Sequence, residues 1–295
     1  MRALITGGKG FVGRHLSEHL LGKNDDVTII DLEHDVTNNE EMRHVMRDAQ
    51  PDVIYHLAAL SHVGTSWNDP SRVLNVNVLG TANLLAAARE EVPGALTLVI
   101  SSAEVYGIVS LEQLPLTENS NVQPSSPYAA SKAAAEVVAL QASRGFSQKV
   151  IVVRPFNHVG PGQAPTFFVP ALASRLIAAK REGRNSVPVG ELSTRRDFTD
   201  VRDVVRAYRL LATHGEPGET YNLASGVDRS MGEVAQMLLD AVGAEIELSV
   251  DPSLLRPVDV PVLRGDANKL RATTSWQPEI DFVTTIDDVV AELVL

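Results

Sequence analysis

Apolar and polar residues recur along the chain in two periods. Short, nearly uninterrupted apolar runs stand at 3–5, 26–31, 52–59, 95–102, 149–154 and 221–224, and each reads as a strand, those at 3–5 and 52–59 as buried ones. Between them, apolar residues recur three and four positions apart over 13–21, 38–50, 75–91 and 128–143, which predicts amphipathic helices. Ser126 followed by Pro127 is a cap-then-proline start for the last of these. Strand alternates with helix throughout, so the expected fold is α/β, a doubly wound parallel sheet with its ligand site outside the carboxyl ends of the strands.

From Pro155 the texture changes. Asn157, His158, Pro161, Gly162, Gln163 and Pro165 mark a loop leaving the sheet, followed by a helix over 168–181 and a short strand at 187–189. The segment 197–201 leads into a helix through Leu211, and the strand at 221–224 rejoins the sheet before an amphipathic helix over 231–242. The predicted organisation is a sheet domain of residues 1–157 and 198–224 and a smaller lobe of residues 158–197 and 225–295.

The first turn carries the first chemistry. Gly7, Gly10 and Gly13 are spaced G-x-x-G-x-x-G between the first strand and the first helix, which Phe11 and Val12 open. Without Cβ atoms the backbone can approach a pyrophosphate, whose charge then rests on N–H groups at the positive end of the helix dipole. Glycines at such a turn also serve tight packing alone. The second strand ends on Asp31, where a dinucleotide fold places an acid that accepts from the adenosine ribose hydroxyls and repels the 2'-phosphate of NADP. An ordinary turn carboxylate is the alternative. Asp35 and Val36 follow so soon that no helix-plus-strand insertion fits, and a short loop containing Leu32 must form the adenine wall. After Leu57, the small residues Ala58 and Ala59 leave space beside a cofactor.

Tyr128 and Lys132 stand at i and i+4 on one helix face. An ammonium there is expected to favour phenolate and to lower a phenol pKa that starts near ~10. A solvent-exposed helix pair would look the same in sequence. Ser102, at the end of a strand, faces the same crevice, where it can hydrogen-bond a substrate carbonyl while Tyr128 delivers a proton. Glu104 follows closely, with Ala103 between them.

Composition narrows the partners. With no cysteine, disulfides, thiolate metal sites and cysteine nucleophiles are excluded, and no metal site is expected. A net charge of -11 argues against a nucleic-acid footprint and leaves room only for a local arginine pocket on a small phosphate ligand. No apolar run approaches the ~20 residues that span a bilayer, and the chain begins with a strand where a signal peptide would stand, so neither a membrane nor an exported location is expected, and the cytoplasm is.

These stretches together resemble the extended short-chain dehydrogenase/reductases that act on nucleotide-activated sugars, the NAD-dependent epimerase/dehydratase family. The resemblance covers nearly the whole chain, through residues 6–13, 56–59, 75–81, 101–107, 128–132 and 195–201. Within that family, residues 154–163 and the short stretch from Asp31 to Asp35 are most similar to GDP-4-keto-6-deoxy-D-mannose reductases. The resemblance implies a Rossmann domain with a small sugar-nucleotide lobe, and Tyr128 as acid-base. It implies that Lys132 orients the nicotinamide ribose, that Ser102 binds the sugar oxygen, and that Pro155, Asn157 and His158 lie beside nicotinamide and sugar. Arg196 and Arg256 are implied on the nucleotide diphosphate, and His62 in the sugar pocket. Lys9 stands where some relatives hold the 2'-phosphate of NADP, whereas Asp31 points to NAD; NAD(H) is expected, with NADP(H) the alternative. The implied reaction is hydride transfer to the C4 ketone of a GDP- or dTDP-4-keto-6-deoxyhexose. A 4,6-dehydratase, in which Glu104 would be the base, or a C4 epimerase is the nearest rival. A non-catalytic NAD-binding regulatory protein would show an eroded Ser-Tyr-Lys set, and here the set is intact. Family members pair through the helices that here begin near Asn75 and Tyr128, so a homodimer is implied, with Ala129, Ala133 and Ala134 available for close helix approach.

Overall fold

Leu4 and Ile5 are neighbours in one strand, point to opposite faces, and are both fully buried, so that strand must lie inside a sheet covered on both sides. The computed structural model, which describes residues 1–254 and 260–294, shows this arrangement. The first half of the chain runs β1 (Arg2–Thr6), α1 (Phe11–Gly22), β2 (Asp26–Ile30), α2 (Asn39–Ala49) and β3 (Val53–His56). Two short helices, α3 (Val63–Ser66) and α4 (Pro70–Leu74), and a π-helical turn (Asn75–Leu79) lead into α5 (Gly80–Glu91). Then follow β4 (Leu96–Ile100), α6 (Pro127–Phe146) and β5 (Lys149–Pro155). The second half contains β6 (Asn157–Val159), α7 (Phe168–Glu182), β7 (Ser186–Val189), β8 (Arg195–Asp200), α8 (Val201–His214) and β9 (Thr220–Leu223). It closes with β10 (Asp228–Ser230), α9 (Met231–Val242), β11 (Glu247–Val250), β12 (Val262–Leu263), α10 (Asn268–Thr274) and α11 (Phe282–Val294).

The main sheet is parallel, in the order β2-β1-β3-β4-β5-β9. The chain crosses from β1 to β2 on one side and then to β3 on the other, so the strand order reverses at β1. Thr6 is level with Ile30 of β2 and with His56 of β3, which brings three strand ends to one crevice at the reversal. Helices α2, α5 and α6 cover one face, packing Met42, Leu84 and Ala139 against Leu4, Ile54 and Val99. Helices α1 and α8 cover the other, with Leu16, Leu20 and Leu211 against Ile5 and Leu98.

A second apolar cluster joins α7, α9 and α11 around Leu172, Leu238 and Ile286. It lies beside a smaller sheet in which β8 pairs with β10, β12 and β6, and a two-stranded pair of β7 and β11. β8 therefore belongs to the smaller sheet, although α8, which continues from it, packs on α1. Trp276 returns to the first cluster, fully buried, its indole donating to the Asp203 carbonyl at 3.0 Å.

Sequence periodicity misses three features. The segment expected as a loop after Pro155 holds β6, which exists because it pairs with β8 and not through any local pattern. The helix expected from Asn75 starts with the π turn. β10 and β12, of three and two residues, are too short for periodicity to show. No helix among the described residues is long and apolar enough to cross a membrane.

Candidate active site

The glycine turn is dictated by contact. Gly7 has φ +69, and a Cβ there would lie 2.9 Å from the Ala58 nitrogen; a Cβ on Gly13 would lie 2.5 Å from the Gly7 oxygen. Any side chain would push β1, β3 and α1 apart. Gly10 caps α1 without a side-chain hydrogen bond, and the first turn of the helix carries no acid. The cradle therefore has the positive helix end and the open backbone that a pyrophosphate needs, and the residues fit a dinucleotide.

Beneath the turn lies a directed hydrogen-bond chain. Thr81 Oγ1 donates to the Asn77 carbonyl at 2.7 Å, so it can only accept from His56 Nε2 at 3.0 Å. His56 Nδ1 then accepts from Thr6 Oγ1 at 2.8 Å, and Thr6 accepts from the Ala58 N–H at 3.1 Å. Burial, with a smaller push from Lys132, lowers the His56 pKa to about 3, so the imidazole is neutral, as this chain requires. These contacts lock the ends of β1 and β3 to the start of α5.

Asp31 closes the turn from the end of β2. Its Oδ2 accepts from the Lys9 N–H at 2.8 Å and its Oδ1 from the Leu32 N–H at 2.9 Å. Each oxygen keeps further lone pairs for a ribose hydroxyl. The Lys9 ammonium is turned aside to Glu33 at 2.9 Å, and that partnership holds the Glu33 carboxyl below its ordinary range. In the short loop that follows, Asp35 accepts from Thr37, and Val36 is buried against Gly80.

Tyr128, Lys132 and Ser102 converge across the crevice. Ser126 caps α6 by accepting from the Ala129 N–H at 3.1 Å, and Asn77 donates to Ser131 at 2.8 Å while Ser131 donates to the Tyr128 carbonyl at 2.7 Å. Lys132 Nζ donates to the Ile100 carbonyl at 2.7 Å. Burial lowers the Lys132 pKa to about 8, against the attraction of Glu136. The expectation of a phenol lowered by Lys132 is not met: burial raises Tyr128 to about 12, a hydrogen bond with Ser102 pulls the other way, and the charge of Glu104 adds to the rise. The reason is tertiary. The ring is 8% exposed, and desolvation of a phenolate outweighs the help of its neighbours.

Every other sequence-derived candidate within the described residues lines the same cleft of about 1110 Å³, including Gly10, Phe11, Val12, Leu57, Ala59, Pro155 and Asn157. Arg256 lies outside the described residues. His158 donates from Nδ1 to the Phe156 carbonyl at 3.1 Å, and burial lowers its pKa, leaving Nε2 as a neutral acceptor. Its ring stacks on Phe11 with centroids 6.2 Å apart. His62 accepts from the Thr65 N–H at 3.1 Å and meets Phe167 edge-on. Arg196 Nη1 donates to the Arg195 and Val260 carbonyls at 2.9 and 2.6 Å, which fixes its guanidinium at the cleft wall. Arg175 and Tyr208 are among the cleft residues that sequence does not reveal. Arg175 reaches the wall from α7 while donating to the Pro188 carbonyl at 2.5 Å, and its spacing is that of any helix-surface arginine. Tyr208 lines the cleft from α8 and reads in sequence only as a core position.

Residues 4–289 match the family described as GDP-mannose 4,6 dehydratase. The chain is 37% identical over 295 residues to a GDP-6-deoxy-D-mannose reductase from Pseudomonas aeruginosa, covering 99% of this chain and 96% of that one. Its structure is similar to that of RMD from Pseudomonas aeruginosa complexed with NADPH, with a TM-score of 0.91, 34% identity and 99% of each chain covered. It is also similar to the UDP-glucose 4-epimerase of Thermus thermophilus in complex with NAD, with a TM-score of 0.90, 30% identity, and coverage of 100% of this chain and 99% of that one.

Proposed function

Since the chain belongs to the GDP-mannose 4,6 dehydratase family within the extended short-chain dehydrogenase/reductases, we propose that it is a nicotinamide-dependent reductase of an NDP-4-keto-6-deoxyhexose, with GDP the favoured nucleotide. The observation that carries this reading is the convergence of Ser102, Tyr128 and Lys132 on one crevice at the end of a glycine cradle built for a dinucleotide. Gly7, Gly10, the α1 N-terminus and Asp31 would hold the cofactor, which when bound supplies hydride to the sugar C4.

The phenol suits reduction. A proton donor raised to about 12 stays loaded at neutral pH and gives up its proton only to a strong base, such as a C4 alkoxide. Ser102 orients the carbonyl oxygen. Lys132, still charged below about 8, stabilises the phenolate left after transfer. Reduction is favoured over dehydration because the family resemblance implies successive acids after the hydroxyl residue in a dehydratase, whereas Ala103 is not an acid, and because the 37% identical relative is named a reductase. Arg196 and, from outside the described residues, Arg256 are assigned to the nucleotide diphosphate, with His62, Asn157 and His158 on the sugar side.

NAD(H) is the proposed cofactor, because Asp31 sets a negative charge at the ribose and Glu33 offsets the basic Lys9. A homodimer through α5 and α6 is part of the same reading. Ala129 is fully buried and Ala133 packs on the first cluster, so of the three alanines Ala134 is left for the contact, with exposed Val137 on α6 and Leu79 of the π-helical turn beside α5. Light scattering that returned the mass of a single chain would remove the dimer. The lobes are assigned as residues 1–157 with 198–224 and residues 158–197 with 225–295, and the location as cytoplasmic. The reaction is tested by offering NADH with a GDP-4-keto-6-deoxyhexose and, separately, with an intact GDP-hexose. Loss of NADH absorbance with the ketone alone supports a reductase; release of water from the intact sugar without NADH loss refutes it.

A further inference from the structure

Helix α6 carries three functional groups on one face at successive turns, Tyr128, Lys132 and Glu136. Glu136 is 4% exposed and its carboxylate is fully engaged. Ser101, the last residue before Ser102, donates its hydroxyl to Oε1. Arg154 of β5 donates from Nε to Oε1 at 2.9 Å and from Nη2 to Oε2 at 2.7 Å, a bidentate pair. Arg154 Nη1 continues to the Tyr106 hydroxyl at 3.0 Å, and Tyr106 donates to Asn222 of β9 at 2.6 Å. One buried carboxylate thus ties the catalytic helix to the carboxyl ends of β4 and β5, and through Tyr106 to β9. Of Glu136 and its partners Ser101, Arg154, Tyr106 and Asn222, only Ser101 lines the cleft.

We propose that Glu136 is a positioning residue of the acid–base centre: without touching sugar or cofactor, it holds Ser101, and with it Ser102, against the helix that carries Tyr128, and sets a negative charge one turn from Lys132. The proposal rests on the reading of Ser102, Tyr128 and Lys132 as that centre. Stability alone does not account for the pair, since buried ion pairs commonly contribute no more than apolar residues of the same volume. What an apolar pair could not do is place a negative charge one turn from a buried ammonium. Around Lys132 stand Tyr128 and Glu136 on its own helix, neutral His56 on β3, and the Ile100 carbonyl on β4. Glu104, on the turn after β4, acts on Tyr128, and Arg154 stands behind Glu136. Glu136 is therefore the group that opposes the loss of the Lys132 proton to burial.

The test compares wild type with Glu136→Gln and with the double variant Glu136→Gln/Arg154→Met, which leaves no buried guanidinium unpaired if the single variant folds poorly. Two pH profiles are measured from neutrality upward, kcat/KM for ketone reduction and NADH affinity by fluorescence. The wild-type profiles should fall near pH 8 as Lys132 loses its proton. The Glu136→Gln profiles should fall at lower pH, by about half a unit or more, whereas the double variant, which loses the Arg154 charge together with that of Glu136, should shift less in the same direction. A folded variant whose activity drops evenly with its limb unmoved would overturn the proposal and make Glu136 a structural residue only. The NADH titration needs no sugar, so a wrong substrate assignment leaves this test readable. Wild-type NADH affinity flat through pH 8 would instead overturn the assigned role of Lys132, and this proposal with it.

Discussion

Replacing Asp31 with Asn should weaken the proposed preference for NADH, so that both cofactors are accepted. The side chain keeps its shape and one acceptor for the turn but loses its charge. Two like charges at about 4 Å repel by about 1 kcal/mol in water and about 4 kcal/mol at an effective dielectric of ~20. Asp31 is only partly exposed and sits among salt-screened surface groups, so the lower part of that range applies, about 1 to 2 kcal/mol, or about 5- to 30-fold. Lys9 does not cancel this in the wild type, because Glu33 holds its ammonium. The ratio of kcat/KM for NADPH to that for NADH should therefore rise by about 5- to 30-fold in the variant. NADH itself should lose a few-fold, since the amide accepts through one oxygen only, leaving either the Lys9 or the Leu32 N–H without its partner, and is a weaker acceptor for the ribose. A melting curve checks that the turn survives. An unchanged cofactor ratio, or a wild type that already prefers NADPH, would refute the reasoning.

Tyr128→Phe should leave cofactor binding nearly unchanged and lower turnover by about 10²- to 10⁴-fold, as expected for a lost proton donor; steady-state kinetics with unaltered turnover would remove Tyr128 from the chemistry. Arg196→Ala should weaken sugar-nucleotide binding by about 1.5 to 3 kcal/mol through loss of a charge-assisted contact, with little change for NADH. Calorimetry that found equal losses for both ligands would point to the carbonyls of Arg195 and Val260 left unpaired, and so to a folding defect. Gly13→Ala should prevent close docking of α1 on the turn, because its Cβ would fall 2.6 Å from Gly8 Cα. A variant with wild-type melting temperature and NADH affinity would show that the turn gives way easily.

The parallel sheet and the glycine turn are legible in sequence because both rest on local pattern. Residues such as Leu4 and Ile5 must be apolar in succession when both faces are covered, and Gly7 and Gly13 admit no Cβ. That Tyr128 and Lys132 share one helix face follows from helix geometry alone. What lies between elements is not legible. The direction of the Tyr128 pKa depends on how much of the sheet and loops closes over the ring, which no spacing reveals. Glu136 and Arg154 look like an ordinary helix acid and a strand-end base until the fold sets them 2.7 Å apart. Arg175 joins the cleft only through the docking of α7, and β10 and β12 exist only as partners of β8.

The central claim, hydride delivery to a sugar C4 ketone with Tyr128 supplying the proton, is tested most directly with deuterium. Purified protein is given NADH deuterated at the transferable position of C4 of the nicotinamide, together with a GDP-4-keto-6-deoxyhexose, and the sugar is analysed by mass spectrometry and NMR. The reductase reading predicts a product heavier by one hydrogen and one deuterium, with the deuterium bonded to sugar C4 and one cofactor oxidised per product. A product without deuterium at C4, or turnover of an intact GDP-hexose to its dehydrated or epimerised form with no net cofactor oxidation, would contradict it.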